Sequence, residues 1–398
     1  MCNGFFLLFG KLPSEMDKNV IIFSAITVSR WPFSKNRVLV ASISFLFLTL
    51  FLLANDAHTT LYSRRHEFSL TNRNGNEERN ESKQVTVANV SCNELMLNHG
   101  CYKIVQGEHE KPKYKPLEVT ELIRLKCSRR APSAIVIGTK KSGTTTLKNF
   151  LSYHPDVAFA ERELKFINNN DLSDLDKYIA VMPYSLPHQI TMEKTPGYFV
   201  RLKVPSRIKS AIPNVKFIVI IRNPVNRAIS DFVHMRYSDE TRVGGAKLLK
   251  KSPKPGAIRY EVSQTFRESV LFENGSVREN NALIDTGIYV KYFRMWLQYF
   301  PLDQFLILDG EEFVKAPTPT MHRVESFLDI KPFFTEDHFY FNEEKKFHCL
   351  KKPLNTCMTK NKGRPHPYVD EDVIEKLNDF YAPFNKELEK FLNRTFSW

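Results

Sequence analysis

A glycine-broken loop carrying two lysines and a run of hydroxyls follows a short apolar stretch: Ala134-Ile135-Val136-Ile137 leads into Gly138-Thr139-Lys140-Lys141-Ser142-Gly143-Thr144-Thr145-Thr146. Backbone N–H groups of such a turn, with the N-terminus of a helix opening at Thr144, form a cradle for an anion, and loop lysines add charge to it. A phosphorylated ligand is the expectation. Loops that hold ATP or GTP place lysine and then Ser/Thr directly after the second glycine, whereas here Thr144 follows Gly143 and the lysines precede it. That displacement argues against a nucleoside triphosphate. A second constellation runs Arg222-Asn223-Pro224-Val225-Asn226-Arg227-Ala228-Ile229-Ser230 after the apolar stretch KFIVII. Pro224 suits a first helical position, where its missing N–H costs little. Arg222 then falls at the carboxyl end of a strand, where open α/β sheets bind ligands.

The elements that hold these groups are legible in outline. Apolar runs at 134–137, 216–221 and 304–308 read as buried parallel strands. Helical patterns surround them at 144–151, 226–235, 287–299, 321–328 and 370–392. Strands alternating with helices predict an α/β fold: a central parallel sheet flanked by helices, with a P-loop-like strand–loop–helix. The Lys-, Gly- and Pro-containing stretch 241–257 reads as an exposed basic loop.

The chain has 398 residues, 42% of them hydrophobic, ample for a sizeable core. A formal net charge of +13 implies anionic partners: nucleic acid, membrane headgroups, or an acidic polysaccharide together with a nucleotide. The uncharged run at 38–54, with Arg30, Lys35 and Arg37 before it and Asp56 and His58 after it, predicts a signal anchor. Residues 1–37 are then a cytoplasmic tail, 55–115 a polar stem beyond the membrane, and 116–398 a single globular domain. Sequons at Asn80, Asn89, Asn274 and Asn393 agree with that side as glycosylation sites. Anchor and sequons together speak against nucleic acid. Cys349 and Cys357 close a small loop and are paired as a disulfide. Cys92 is placed with Cys101, which leaves Cys127 over, and spacing leaves that connectivity open. No CxxC or matched His/Cys pair points to zinc.

Taken with further motifs, residues 131–398 resemble a heparan sulfate glucosamine 3-O-sulfotransferase. The motifs are GTKKSGTTTL, HPDV at 154–157, Glu193-Lys194-Thr195-Pro196-Gly197-Tyr198, Arg222 with Ser230, Trp296 through Asp309-Gly310, HFYFN at 338–342, Lys362-Gly363-Arg364-Pro365-His366-Pro367, and the terminal Arg394-Thr395-Phe396-Ser397-Trp398. The resemblance implies sulfuryl transfer from 3′-phosphoadenosine 5′-phosphosulfate (PAPS) to a sugar hydroxyl of heparan sulfate, by a type II Golgi membrane glycoprotein with a lumenal catalytic domain. It implies Glu163 as general base, because a neutral hydroxyl must lose its proton as the S–O bond forms. Lys141 corresponds to the family's loop lysine and Lys194 to a second lysine near donor and acceptor. Lys140, Lys141 and the N–H groups of Ser142, Gly143, Thr144 and Thr145 are implied as the sulfate-end cradle. Arg222 and Ser230 are implied to hold the 3′-phosphate, with Lys362, Gly363, Arg364, Pro365 and His366 closing on the nucleotide. Glu161, Lys165, Lys194, Thr195 and Pro196 fall on the acceptor side. No metal is required, since loop lysines offset the charge that Mg²⁺ offsets in phosphoryl transfer. Lys140, Lys203, Arg207 and Lys209 are candidates for a groove that takes the polyanion. The chain departs from the family after the glutamate, with Leu164-Lys165-Phe166-Ile167-Asn168 where the pattern is x-His-Phe-Phe-Asp. That departure bears on acceptor fit more than on the donor. Alternative readings are another acceptor for the same donor, or a catalytically weak member that binds heparan sulfate.

Overall fold

Alternation inside the apolar runs shows how the sheet is covered. The computed structural model describes residues 95–106, 113–240, 260–357, 366–396 and 398. The predicted tail and anchor, Asn80, Asn89, Cys92, the basic loop 241–257 and Lys362 to Pro365 lie outside the described residues. Among the described residues no helix is long and apolar enough to cross a membrane. The strands in chain order are β1 (Leu95–His99), β2 (Tyr102–Gln106), β3 (Lys113–Pro116), β4 (Ser128–Arg129), β5 (Ala134–Gly138), β6 (Val157–Phe159), β7 (Tyr184–Ser185), β8 (Ile190–Lys194), β9 (Lys216–Ile221), β10 (Phe305–Asp309), β11 (Phe339–Asn342) and β12 (Phe347–Leu350).

Five of these form a parallel sheet in the order β10-β9-β5-β8-β6. Ile135, Ile137, Phe217, Val219 and Ile221 point into one apolar layer. Ala134, Val136, Ile218 and Ile220 point into the other. Burial on both faces is why the runs read as continuous rather than alternating. The first layer packs the helices Val204–Ala211, Pro224–Glu240, Tyr289–Trp296 and Glu371–Leu392, and the second packs Thr144–Leu151 and Pro317–Leu328. The helix Pro224–Glu240 opens at its proline, and Asn223 Oδ1 accepts from the N–H groups of Val225 and Asn226, both at 3.0 Å. An Asn side chain and a proline together set that start.

Two expectations are corrected. Residues assigned to the stem fold: β1, β2 and β3 make an antiparallel sheet whose Ile104 is fully buried in the second apolar layer. The folded body therefore reaches back at least to Leu95, because β2 supplies apolar surface that the layer covers. Cys101 pairs with Cys127, at a Cα–Cα distance of 6.1 Å, so Cys127 is not left over and Cys101 is not the partner of Cys92. Gly100, at φ 56, turns β1 into β2 and brings Cys101, 1% exposed, into the interior beside Cys127. The expected Cys349–Cys357 disulfide is present and ties β12 to the segment that follows it.

Candidate functional site

Strand order reverses between β5 and β9, so the crevice outside their carboxyl ends is the place where such a sheet takes a ligand. Lys141, at φ 75, and Gly143, at φ 103, carry the chain out of β5 through left-handed backbone into the helix Thr144–Leu151. No side chain caps that helix, which leaves its first N–H groups directed at the crevice. Thr139 Oγ1 donates to Ile220 O at 2.9 Å and lies 2.6 Å from Ser142 Oγ, stitching the loop to β9. Gly310, just past β10, closes the other side. A Cβ there would meet Ser142 O at 3.0 Å and Arg222 Cβ at 3.2 Å.

The resulting cavity measures about 580 Å³ and is lined by Lys140, Lys141, Ser142, Gly143, Thr144, Thr145, Glu163, Lys165, Asn168, Thr195, Pro196, Arg222, Ser230 and His366, among others. That volume suits a cofactor-sized molecule. The N–H cradle, Arg222, Ser230 and His366 line the same cavity and could hold an anionic ligand. Lys194, 6% exposed at the end of β8, reaches Glu163 Oε1 at 2.7 Å and Thr145 Oγ1 at 3.3 Å. It thus joins the carboxylate to the loop helix.

The neighbours of Lys194 explain its placement. Glu193 is fully buried, accepting from Tyr178 OH at 2.7 Å and Thr195 Oγ1 at 2.9 Å. Burial raises the Glu193 carboxyl above its ordinary range against the pull of those hydrogen bonds. Thr195 Oγ1 accepts in turn from the Lys165 N–H at 3.2 Å, and Ile167 N–H donates to Tyr198 OH at 3.1 Å. Glu193, Thr195 and Tyr198 therefore pin the segment that carries Glu163. Lys165 sits in left-handed backbone, φ 53, ahead of the short helix Phe166–Asn169. The cation paired with Glu163 is Lys194, not Lys165.

Several basic residues take other partners. Lys140 Nζ lies 2.8 Å from Asp231 Oδ1 and donates to Tyr260 OH at 3.0 Å. Asp231 Oδ2 accepts from Arg227 at 3.0 Å and from Tyr260 OH at 3.1 Å, with Arg227 and Asp231 both at 0% exposure. Burial alone would raise the Asp231 carboxyl, but the Lys140 and Arg227 cations outweigh it and hold it below the usual range. Arg222 Nε and Nη2 both donate to Glu311 Oε1 at 3.2 Å. Burial, then the Arg222 and Lys141 charges, push His366 below its ordinary value. Arg207 donates to Ile167 O at 2.7 Å and Asn168 O at 3.1 Å, and Lys209 lies 5.2 Å over the Phe300 ring. Lys203 precedes the helix Val204–Ala211 as an exposed residue. Glu161 lines a different cavity from Glu163. Asn274 and Asn393 are exposed. Among the described residues no cluster of His, Cys, Asp and Glu could hold a metal.

Sequence reasoning missed Asp231, Glu193, Tyr260 and Glu311. Glu193 stood inside the Glu-Lys-Thr-Pro motif, and Glu311 follows Asp309-Gly310, so position was the available signal.

Comparison with known proteins agrees. The family described as Sulfotransferase domain matches residues 131–392. Heparan sulfate glucosamine 3-O-sulfotransferase 6 of Mus musculus is 40% identical over 274 residues, covering 68% of this chain and 74% of that protein. Heparan sulfate glucosamine 3-O-sulfotransferase 3B1 of Mus musculus is 39% identical over 278 residues, covering 68% of this chain and 66% of that protein. Among solved structures, a sulfotransferase from Alicyclobacillus acidocaldarius is 20% identical with a TM-score of 0.49, covering 67% of this chain and 98% of its own. On the family match and the 40% identity, the chain belongs to the sulfotransferase family, within the group of heparan sulfate glucosamine 3-O-sulfotransferases.

Proposed function

We propose that the chain transfers a sulfuryl group from PAPS to the 3-hydroxyl of glucosamine residues in heparan sulfate, with Glu163 as the general base. The observation that carries this is the 2.7 Å contact of Lys194 with Glu163, made beside the N–H cradle of the Lys141–Thr145 loop. A base for the attacking hydroxyl and cations for the departing phosphate then meet in one cavity. The hydroxyl oxygen bonds to sulfur, the S–O bond to the 5′-phosphate breaks, and the hydroxyl proton goes to Glu163. Lys141, Lys194 and the cradle N–H groups offset charge on the phosphate that leaves. Arg222, Ser230 and His366 hold the 3′-phosphate end. For Arg222 this means exchanging Glu311 for phosphate, a stronger bidentate partner. Thr195 and Pro196 line the same cavity, and we assign them to the acceptor. With Lys194 on Glu163, the replacement of the family's histidine by Lys165 bears on the acceptor rather than on the base. We place the protein in the Golgi membrane as a type II chain anchored through 38–54, with the fold lumenal.

The test is to incubate the full chain with radiolabelled PAPS and heparan sulfate, beside Glu163→Gln, and to map the sulfate on the digested product. Label on the glucosamine 3-hydroxyl is expected, with a loss of roughly 10²- to 10⁴-fold in the variant and PAP affinity retained. Label at another position, or an undiminished Glu163→Gln rate, overturns the assignment.

A further inference from the structure

The last two residues of β8 face opposite sides of the sheet. Lys194 turns toward the loop helix, where it meets Thr145 and Glu163. Glu193 turns to the other side, where Ile167, Tyr178 and Tyr198 belong to the first apolar layer. Its hydrogen-bond partners there are hydroxyls: Tyr178 OH at 2.7 Å on Oε1 and Thr195 Oγ1 at 2.9 Å on Oε2. The Tyr198 hydroxyl is directed at the same carboxylate. Tyr178 and Tyr198 are 0% exposed and Thr195 1%, so no solvent competes for these protons.

An ionised carboxylate only accepts, whereas a hydroxyl carries one proton and two lone pairs. Each hydroxyl that gives its proton to Glu193 is therefore left with its oxygen as an acceptor. Two of those oxygens serve the segment that follows the base: Thr195 Oγ1 accepts the Lys165 N–H at 3.2 Å, and Tyr198 OH accepts the Ile167 N–H at 3.1 Å. Arg207 holds the carbonyls of Ile167 and Asn168, so the short helix Phe166–Asn169 is fastened through both kinds of backbone group. Lys165, at φ 53, stands in left-handed backbone, which a residue with a side chain keeps only where its surroundings hold it. The Glu163 side chain is 37% exposed, so its place over the cavity follows from this turn and from Lys194 rather than from close packing.

We propose that Glu193 is a positioning residue for the general base, setting the direction of the Thr195 and Tyr198 hydroxyls so that both accept from the segment that carries Glu163. The proposal rests on Glu163 as the base and adds the buried group that fixes where it stands. Glu193→Gln keeps the size of the side chain and breaks this arrangement. Its amide nitrogen donates, so a hydroxyl facing it must turn and oppose a backbone N–H with its own proton. Tyr178 OH donates to Glu193 and, among the described residues, takes no N–H of the segment, so it steadies the carboxylate alone.

The experiment compares the full chain with Glu193→Gln, Tyr198→Phe and Tyr178→Phe. It follows turnover of PAPS with heparan sulfate, PAP affinity by calorimetry, and amide hydrogen exchange across 163–169 with β5 and β9 as the reference. The two tyrosine variants each delete one buried hydroxyl beside Glu193, so a role in the fold alone would affect them alike. Glu193→Gln and Tyr198→Phe are expected to lower kcat roughly tenfold to a hundredfold, the effect of a misplaced reacting group, with KM for PAPS and PAP affinity unchanged. Exchange across 163–169 should quicken in the same two variants while β5 and β9 stay protected. Tyr178→Phe should keep the kcat and the exchange of wild type. Where Glu193→Gln does not fold, the two tyrosine variants decide the matter. If wild type transfers no sulfate, the reaction reading fails; faster exchange across 163–169 in Tyr198→Phe than in Tyr178→Phe still sustains the positioning, and equal exchange overturns it. With wild type active, equal kcat in the two tyrosine variants overturns the proposal.

Discussion

Lys140 and Lys141 are adjacent and chemically alike, yet the structure gives them different surroundings. Lys140 sits on Asp231 and Tyr260, so its main work is to tie the loop to the helix Pro224–Glu240. Asp231→Ala leaves Arg227 and Lys140 as uncompensated cations, one of them fully buried, and is expected to cost about 3–5 kcal/mol in denaturant unfolding. Lys140→Met should cost less, since Asp231 keeps Arg227 and Tyr260. A larger stability loss for Lys140→Met than for Asp231→Ala would disprove this division. His366 offers a pH test. Its imidazole, pushed down by burial and the Arg222 and Lys141 charges, gains a favourable partner when an anionic nucleotide enters, so its pKa rises on binding. PAP affinity then strengthens as pH falls through the lower part of the histidine range, with proton uptake. Calorimetry of PAP binding in buffers of different ionisation enthalpy should show more proton uptake for wild type than for His366→Asn. Equal uptake would place the imidazole away from the phosphate. The residues proposed to bind the anion were legible as candidates in the sequence because they follow strands as short motifs. The groups that orient them were not, because Lys140 and Tyr260, or Arg222 and Glu311, meet only after the chain has folded.

At the level of elements, the expected central strands and the loop helix are where periodicity and glycine placed them, since both sheet faces are buried and the runs are apolar throughout. The two strands that escaped notice show the limit of that signal. β6 is three residues long, and β8 reads ITMEK, whose Glu193 and Lys194 are buried by partners from other segments. Composition likewise suggested a stem where β1–β3 fold, because polar residues on an exposed sheet look like a linker until Ile104 and Cys101 find their places. The bridge from Cys101 to Cys127 spans 26 residues of sequence, for which chain entropy gives about 2–4 kcal/mol of stabilisation. Removing it by Cys101→Ser with Cys127→Ser should lower stability by that amount in urea unfolding while PAP affinity stays the same. A loss of PAP affinity would mean that the small sheet reaches the nucleotide. Gly310→Ala acts on the site itself. Its Cβ would press on Ser142 O and Arg222 Cβ, so PAP affinity is expected to fall by about tenfold, consistent with overpacking costs of 1–3 kcal/mol.

Across the whole molecule, the excess of 57 Lys and Arg over 44 Asp and Glu sets a long-range field for a polyanion, and that field is screened differently from the buried pairs. At 0.1 M salt the Debye length is about 10 Å, so exposed charges more distant than that from the acceptor contribute little. A long heparan sulfate chain would lie within reach of many such charges at low salt, whereas PAP in the proposed crevice would be held at close range. KM for heparan sulfate should therefore climb steeply as NaCl is raised through physiological strength, and KM for an octasaccharide should climb less. Thermal stability should hardly move over the same range, because Arg227 with Asp231, and Glu193 with Tyr178 and Thr195, are enclosed by protein. If KM for heparan sulfate and for the octasaccharide share one salt slope, recognition is confined to the cleft and the surplus charge serves something other than drawing in the acceptor.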